Sequence, residues 1–235
     1  MDNRNTQTFP GRLALQQRVI PKYRAPFFDL LAKSCEGGLS LFAGQPLPVE
    51  SISTTKHLES AEIVQAQNRH LCDPQSTYYL CWQRGVINWL DSQNPKALIV
   101  EANPRYLSTY GAVRWMKQRQ RPVLGWGLGA AQNGNPLERY FRQIFLKSLD
   151  GLISYSRRGA DEYHALGLET VFVAHNAVSR RPQHRLPKRS LTFTNAPMVL
   201  FVGRLQKRKR IDILLTSCAG LPAALQPRLV IVGDG

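Results

Sequence analysis

Acidic side chains are in short supply. Sixteen Asp and Glu stand against 31 Lys and Arg, a formal net charge of +15 over 235 residues, and from Thr170 to Ile211 there is no acidic residue at all. That window instead holds Arg180, Arg181, Arg185, Lys188, Arg189, Arg204, Lys207, Arg208, Lys209 and Arg210, which supply two-thirds of the net charge. A field so concentrated favours polyanions, phosphorylated small molecules or an anionic membrane face. For residues 180–189 a solvated loop is the alternative.

Long apolar runs are also missing. The uninterrupted runs are a handful of residues, such as ALIV and MVLFV, far short of the roughly 20 that span a bilayer, and the opening MDNRNTQTF has no apolar signal core, so the expected location is intracellular. Cysteine is sparse: Cys35, Cys72, Cys81 and Cys218 form no C-x-x-C pair and no Cys/His cluster at zinc spacing. Neither a disulfide scaffold nor a structural metal site is expected, and the thiols should be free and mostly buried. Several signatures are absent too. No G-x-G-x-x-G follows an expected strand, and G-x-x-x-x-G-K-[ST], G-x-S-x-G and H-E-x-x-H do not occur. Dinucleotide, P-loop, hydrolase-elbow and zincin readings lose their support.

What is present is a globular core and a regular rhythm. Leu, Ile, Val and Phe number 63, about 27% of the chain, enough to bury a core. Expected strands at 13–18, 39–44, 63–71, 97–102, 122–127, 151–156 and 170–174 alternate with expected helices at 25–35, 83–93, 106–120, 136–149 and 157–166, with a loop at 46–56. Such alternation implies βαβ units and a parallel, doubly wound α/β sheet. Residues 179–196 break the rhythm with Pro182, Pro187 and basic residues, and read as a linker between a first domain, 1–178, and a second piece, 197–235. That second piece holds a strand at 198–203, a helix at 211–219 and a strand at 228–233. One strand–helix–strand unit of this size does not stand alone, so it is expected either to dock on the first domain or to open a larger one.

Candidate chemistry lies at strand ends, where an open parallel sheet gathers its ligands. In VLFVGRLQKRKRIDILL, Gly203 ends a buried strand, Arg204 follows, and Lys209 comes five residues later, just ahead of a helix. An arginine and a lysine beside a helix N-terminus make a suitable seat for a diphosphate, with an unliganded basic loop as the alternative. In the first domain Glu101 and Asn103 follow ALIVEA, and Trp126, Gly127 and Gly129 follow PVLGWG, so both clusters should open on a cleft. A carboxylate there could orient an acceptor hydroxyl. Glu101 capping the next helix and Trp126 filling core are the plainer accounts. The five histidines form no evident constellation. Arg105, Arg114, Lys117, Arg119 and Arg121 around Trp115 and Met116 could press a helix onto anionic lipid, or form a solvated face.

GRL with a Lys five residues after its Arg, a helix opening on Asp212, Leu214 and Leu215, and a strand ending in VGDG resemble the start of the C-terminal domain of family 4 glycosyltransferases of the GT-B fold. Upstream, ISYSRRGADEYHALGLETVFVAHNAV is similar to that family's approach to the linker, with Ser156, Gly159, Gly167, Asn176 and Val178 matching. RVIPKYRAPFFDLLA looks like the opening segment of a subset. The resemblance implies a Rossmann-like acceptor-side domain followed by the first β-α-β unit of a second, nucleotide-sugar-binding domain. It also implies sugar transfer with retention, a nucleoside-diphosphate sugar as co-substrate, and no metal or other cofactor. Gly203, Arg204 and Lys209 match the donor-diphosphate site, where the two cations would stabilise charge on the departing nucleoside diphosphate. No catalytic residue is assigned. The acceptor would be a saccharide or lipid-linked saccharide, in glycan or glycolipid biosynthesis. The location would be cytoplasmic, with peripheral contact to the inner membrane face if the acceptor is a lipid. Nucleic acid is a less favoured partner.

The sequence departs from that pattern in places. Ala177 stands for the usual Gly, Ser179 for Asp and Arg210 for Gly, and no His lies near Leu128. The acidic pair, two Glu separated by seven residues, would fall beyond Gly235, so the 235-residue chain alone is expected to lack the distal donor site and to be inactive. The alternatives are a non-catalytic anion- or nucleic-acid-binding α/β module and another GT-B enzyme such as a sugar-nucleotide epimerase.

Overall fold

The computed structural model describes residues 8–73, 76, 78–130, 135–176 and 197–234. The linker expected at 179–196, the basic stretch 180–189, and the motif positions Ala177, Val178 and Ser179 lie outside the described residues. Two compact units are distinguished, Met1–Arg180 and Arg181–Gly235.

The first unit runs β1 (Leu13–Val19), α1 (Ala25–Lys33), β2 (Leu39–Gly44), β3 (Glu62–Gln65), β4 (Gln67–Leu71), β5 (Leu80–Arg84), α2 (Val86–Gln93), β6 (Ala97–Glu101), α3 (Leu107–Gln118), β7 (Val123–Gly127), α4 (Pro136–Lys147), β8 (Gly151–Ser154), α5 (Arg157–His164) and β9 (Val171–Val173). Seven strands form one sheet in the order β3-β2-β1-β6-β7-β8-β9, every pairing parallel. The architecture is the expected doubly wound, Rossmann-like α/β sheet. Strand alternation sends Leu13, Leu15, Leu41 and Ile99 to one face, where they pack with Phe28 and Ala32 of α1. Ala14, Phe42, Leu98, Val100 and Leu152 go to the other, where α2, α3, α4 and α5 contribute Leu90, Met116, Phe145 and Tyr163. Both faces are covered, as a parallel sheet requires.

Helix ends follow local chemistry. Asn135 and Ser156 accept from the backbone amides of Glu138 and Gly159 to cap α4 and α5, and Pro26 and Pro136 occupy first turns. Gly167, at φ +76°, lies just past the end of α5.

Two expected elements are corrected. The strand expected at 63–71 is two strands in different sheets. The chain leaves the main sheet at buried Ala66, whose amide donates to Ala43, and Gln67–Leu71 pairs antiparallel with Leu80–Arg84. The helix expected from Gln83 begins only at Val86, because residues 80–84 are that partner strand and Gly85, at φ +91°, makes the turn between them. The reason lies in a buried polar network. Gln83 accepts from Gln16 Nε2 at 2.9 Å and donates to the Gln17 carbonyl and Asn68 Oδ1, both at 3.0 Å, while its amide donates to Ser108 Oγ at 3.1 Å. These bonds lock the hairpin and α3 to β1 and account for the buried side chain of Gln16, whereas Gln17 takes part only through its backbone carbonyl. The expectation of mostly buried thiols is also corrected: Cys35 and Cys81 are buried, Cys218 is half-buried and Cys72 is exposed on the β4–β5 connection.

The second unit contains β10 (Met198–Val202), α6 (Ile211–Ala219) and β11 (Arg228–Val232), with β10 and β11 parallel and in register from Met198↔Arg228 to Val202↔Val232. It is a β-α-β unit, as expected.

Candidate functional site

Strand order reverses between β1 and β6, the place where an open α/β sheet leaves a crevice beyond its carboxyl ends. A cleft of about 820 Å³ opens there, and its lining comes from the segments that follow β1, β6, β7 and β8. Glu101, Asn103, Trp126 and Gly127, expected on a cleft from sequence, all line this one, as does Asn176.

The floor is a tied pair of strand ends. The backbone amide of Arg18, on β1, donates to Glu101 Oε2 at 3.0 Å across the switch point. The Arg18 guanidinium turns to Glu50 and donates to both carboxylate oxygens at 2.9 and 2.5 Å, with the two side chains 13% and 20% exposed. Glu50 also accepts from the Leu47 amide at 2.8 Å. Burial alone would raise the Glu50 pKa, but the hydrogen bonds from Arg18 and Leu47 outweigh it and hold the carboxyl below its ordinary value. Glu101 goes the other way. Burial raises its pKa, countered only in part by the Arg18 amide and the charges of Arg18 and Arg24. Glu101 does not cap the next helix, since α3 has no side-chain cap. A carboxyl with a raised pKa beside two guanidiniums can accept a proton from, or hydrogen-bond to, a hydroxyl in the cleft.

The wall is aromatic around a cation. Arg24 Nη2 donates to the Tyr155 hydroxyl at 2.8 Å, and its guanidinium lies 5.2, 5.1 and 5.7 Å from the ring centroids of Trp126, Tyr155 and Tyr23. Trp126 and Tyr155 pack with centroids 5.3 Å apart. Trp126 both fills core, at 6% exposure, and borders the cleft, so the two readings of it are not exclusive. Gly127 is a matter of space: a Cβ there would sit 2.6 Å from the Tyr163 hydroxyl and 3.0 Å from Ala102 Cβ.

Sequence reasoning missed Arg18, Arg24 and Tyr155. The available signal was the basic run RVIPKYR directly after an expected strand. Arg105, read with the α3 cations as part of a lipid-facing stripe or a solvated face, instead lines the cleft. In that stripe Trp115 and Met116 are buried, with Trp115 Nε1 donating to Asp91 at 2.8 Å and Arg119 stacked 3.8 Å from its ring. The helix therefore has no apolar face to offer a membrane.

In the second unit Gly203 follows β10, with its amide donating to Val232 at 2.9 Å, and Leu205 donates to Asp234 at 2.8 Å. Arg204 is half-buried, and exposed Lys209 closes a 3₁₀ turn immediately before α6. Arg210, standing where a Gly is usual, has φ +48°, the left-handed region that glycine enters without strain. Its guanidinium donates to both Asp212 oxygens at 2.9–3.2 Å, which lowers the Asp212 pKa. The backbone of the glycine pattern is kept and the side chain is tethered outside it. Among the described residues no cluster of three or more His, Cys, Asp or Glu could hold a metal ion.

No protein-family model matches the chain, and the comparison of its sequence with curated proteins found no match. Among solved structures it is similar to the apo form of the lipopolysaccharide outer core galactosyltransferase WaaB, with 16% identity and a TM-score of 0.59 over 95% of this chain and 61% of that one. The chain thus spans about three-fifths of that structure. The likeness establishes the fold, a GT-B-like Rossmann domain.

Proposed function

We propose that this chain is the acceptor-side domain and the start of the donor domain of a retaining, family 4-like GT-B glycosyltransferase, which moves a sugar from a nucleoside-diphosphate sugar to a saccharide or lipid-linked acceptor. The observation that carries the reading is the cleft at the switch point, built by Arg18, Arg24, Glu101, Trp126 and Tyr155 from four successive strand ends. It is the right size and position for a small polar ligand. The ordered motifs from Ser156 to Asp234 and the fold shared with a galactosyltransferase support the same conclusion. Glu101 receives an acceptor hydroxyl. Arg204 and Lys209 hold the donor diphosphate at the N-terminus of α6 and stabilise the charge that develops on it.

The test is binding. A panel of nucleoside diphosphates is titrated into the chain and followed by calorimetry. At least one binds, and an Arg204→Ala/Lys209→Ala double variant weakens it by about tenfold or more, as loss of charge-assisted hydrogen bonds implies. Unchanged binding in the double variant overturns the assignment.

Peripheral contact with an anionic membrane belongs to the same reading, but at α4. There Leu137, Tyr140, Phe141 and Ile144 are about half or more exposed, with Leu128 nearby in sequence and Arg139 and Lys147 at the surface of the same helix. An apolar stripe flanked by cations suits a headgroup boundary. Among the described residues no helix is long and apolar enough to cross a membrane. Co-sedimentation with vesicles containing phosphatidylglycerol, but not with phosphatidylcholine alone, is expected. It should fall at least severalfold in Leu137→Ser/Phe141→Ser. Equal pelleting of variant and parent refutes α4 as the contact.

A further inference from the structure

The cleft has more cation than its own carboxylates neutralise. Arg18 is matched by Glu50, and Glu101, the only acidic side chain lining the cleft among the described residues, is held through the Arg18 amide. Arg24, Arg105 and Arg142 also line it, and neither Arg24 nor Arg105 has a carboxylate within 4.0 Å among the described residues. Arg24 is half-buried, so its charge is not simply left to water. Three aromatic rings and the Tyr155 hydroxyl fix its guanidinium in orientation without supplying an anion. Two neighbouring N–H groups, Arg24 Nε and Trp126 Nε1, are buried with no acceptor among the described residues. Arg105 is anchored through its backbone, its amide donating to Asn103 Oδ1 at 3.1 Å and its carbonyl accepting from the Cys81 amide at 3.0 Å. A pre-oriented, unneutralised guanidinium fork is the arrangement that recognises a planar or tetrahedral oxyanion.

We propose that the acceptor taken by this cleft is anionic, a saccharide bearing a phosphate or carboxylate group that Arg24 and Arg105 bind while the Trp126–Tyr155 wall borders the sugar. This rests on the reading of the cleft as the acceptor side. It does not involve the diphosphate seat of the second unit.

The experiment titrates the 235-residue chain with glucose, glucose 6-phosphate and glucuronate, followed by protein-observed NMR. The charged sugars are expected to bind about tenfold or more tightly than glucose, and Arg24→Gln to reduce that preference to about threefold or less. Arg105→Gln should reduce it likewise, and because Arg105 lies outside the aromatic cage it serves if Arg24→Gln does not fold. Glucose 6-phosphate and glucuronate separate the two oxyanions. The preference should survive in Arg204→Ala/Lys209→Ala. The proposal is overturned if the parent chain shows no preference, if the preference persists in both single variants, or if it disappears in the Arg204/Lys209 double variant. Nucleoside diphosphate is titrated into the same samples. If the diphosphate binds but no preference appears, only the anionic acceptor falls. If an Arg24-dependent preference appears without diphosphate binding, the cleft site stands and the transferase reading falls.

Discussion

Arg18→Ala lowers the free energy of unfolding by about 3 kcal/mol at neutral pH, as measured by urea denaturation. Removing one member of a largely buried ion pair leaves the other charge desolvated and unmatched. The loss exceeds that of a surface pair because both side chains are less than a quarter exposed and the guanidinium meets Glu50 through two hydrogen bonds. The variant also changes the pH dependence. In the parent, the depressed folded-state pKa of Glu50 contributes stability that is complete above the unfolded carboxyl pKa and is lost as pH falls through the lower folded value. Without Arg18 that acid-limb loss disappears, and stability at low pH converges on the parent's. Glu101 has the opposite sign. Its raised pKa makes the folded state hold a proton longer than the unfolded chain, so its contribution falls as pH rises through the window above the ordinary Glu value. A variant with an unchanged acid limb would show that Glu50 is not tied to Arg18 in solution.

The second large effect comes from the first turn of α5. Gly159 donates its amide to the Ser156 hydroxyl at 3.0 Å, and a Cβ at this position would run into the Leu128 carbonyl oxygen and Ser154 Oγ. Neither is the free end of a flexible chain: one is backbone, and the other is a buried hydroxyl that itself donates to Ser156. Gly159→Val therefore costs about 3 kcal/mol, read from the thermal or urea midpoint, since the loop after β7 must shift to admit it. Because Leu128 and Gly129 border the cleft, the same variant is expected to weaken sugar binding even where it stays folded. Parent-like stability would mean that α5 does not approach the β7 loop this closely.

Gly159 also illustrates what could be read in advance. It stood out as one of the matching positions around the 157–164 helix, but its reason, a backbone approach from a segment about thirty residues earlier, is tertiary. The buried parallel strands were plain in the sequence because ALIVEA and PVLGWG are continuous apolar runs between helical stretches, and burial on both faces demands that. The β4–β5 hairpin was not plain. Gln67, Asn68, Arg69 and His70 are polar, and what makes them a strand is pairing with residues 81–84 and bonding through Gln83 to a glutamine of β1. Likewise Glu101 and Trp126 could be found from strand ends, whereas Arg24 lies in a short turn whose role depends on Trp126 and Tyr155, more than 100 residues away. For the α3 stripe the sequence left a lipid-facing and a solvated reading open, because helical spacing puts Trp115 among basic residues without saying which way the indole faces. Its bond to Asp91 turns it inward.

Arg210 carries a lesson for comparing such chains. Arg210 departs from the glycine that the resemblance expects after Lys209, although the peptide there has the positive φ the glycine would have provided. The guanidinium that comes with the exchange is taken up by Asp212, an acid already placed two positions on at the start of the helix. One of the ten cations in the acid-poor window is thereby cancelled within its own loop. The charge available to an incoming polyanion is smaller than a residue count suggests.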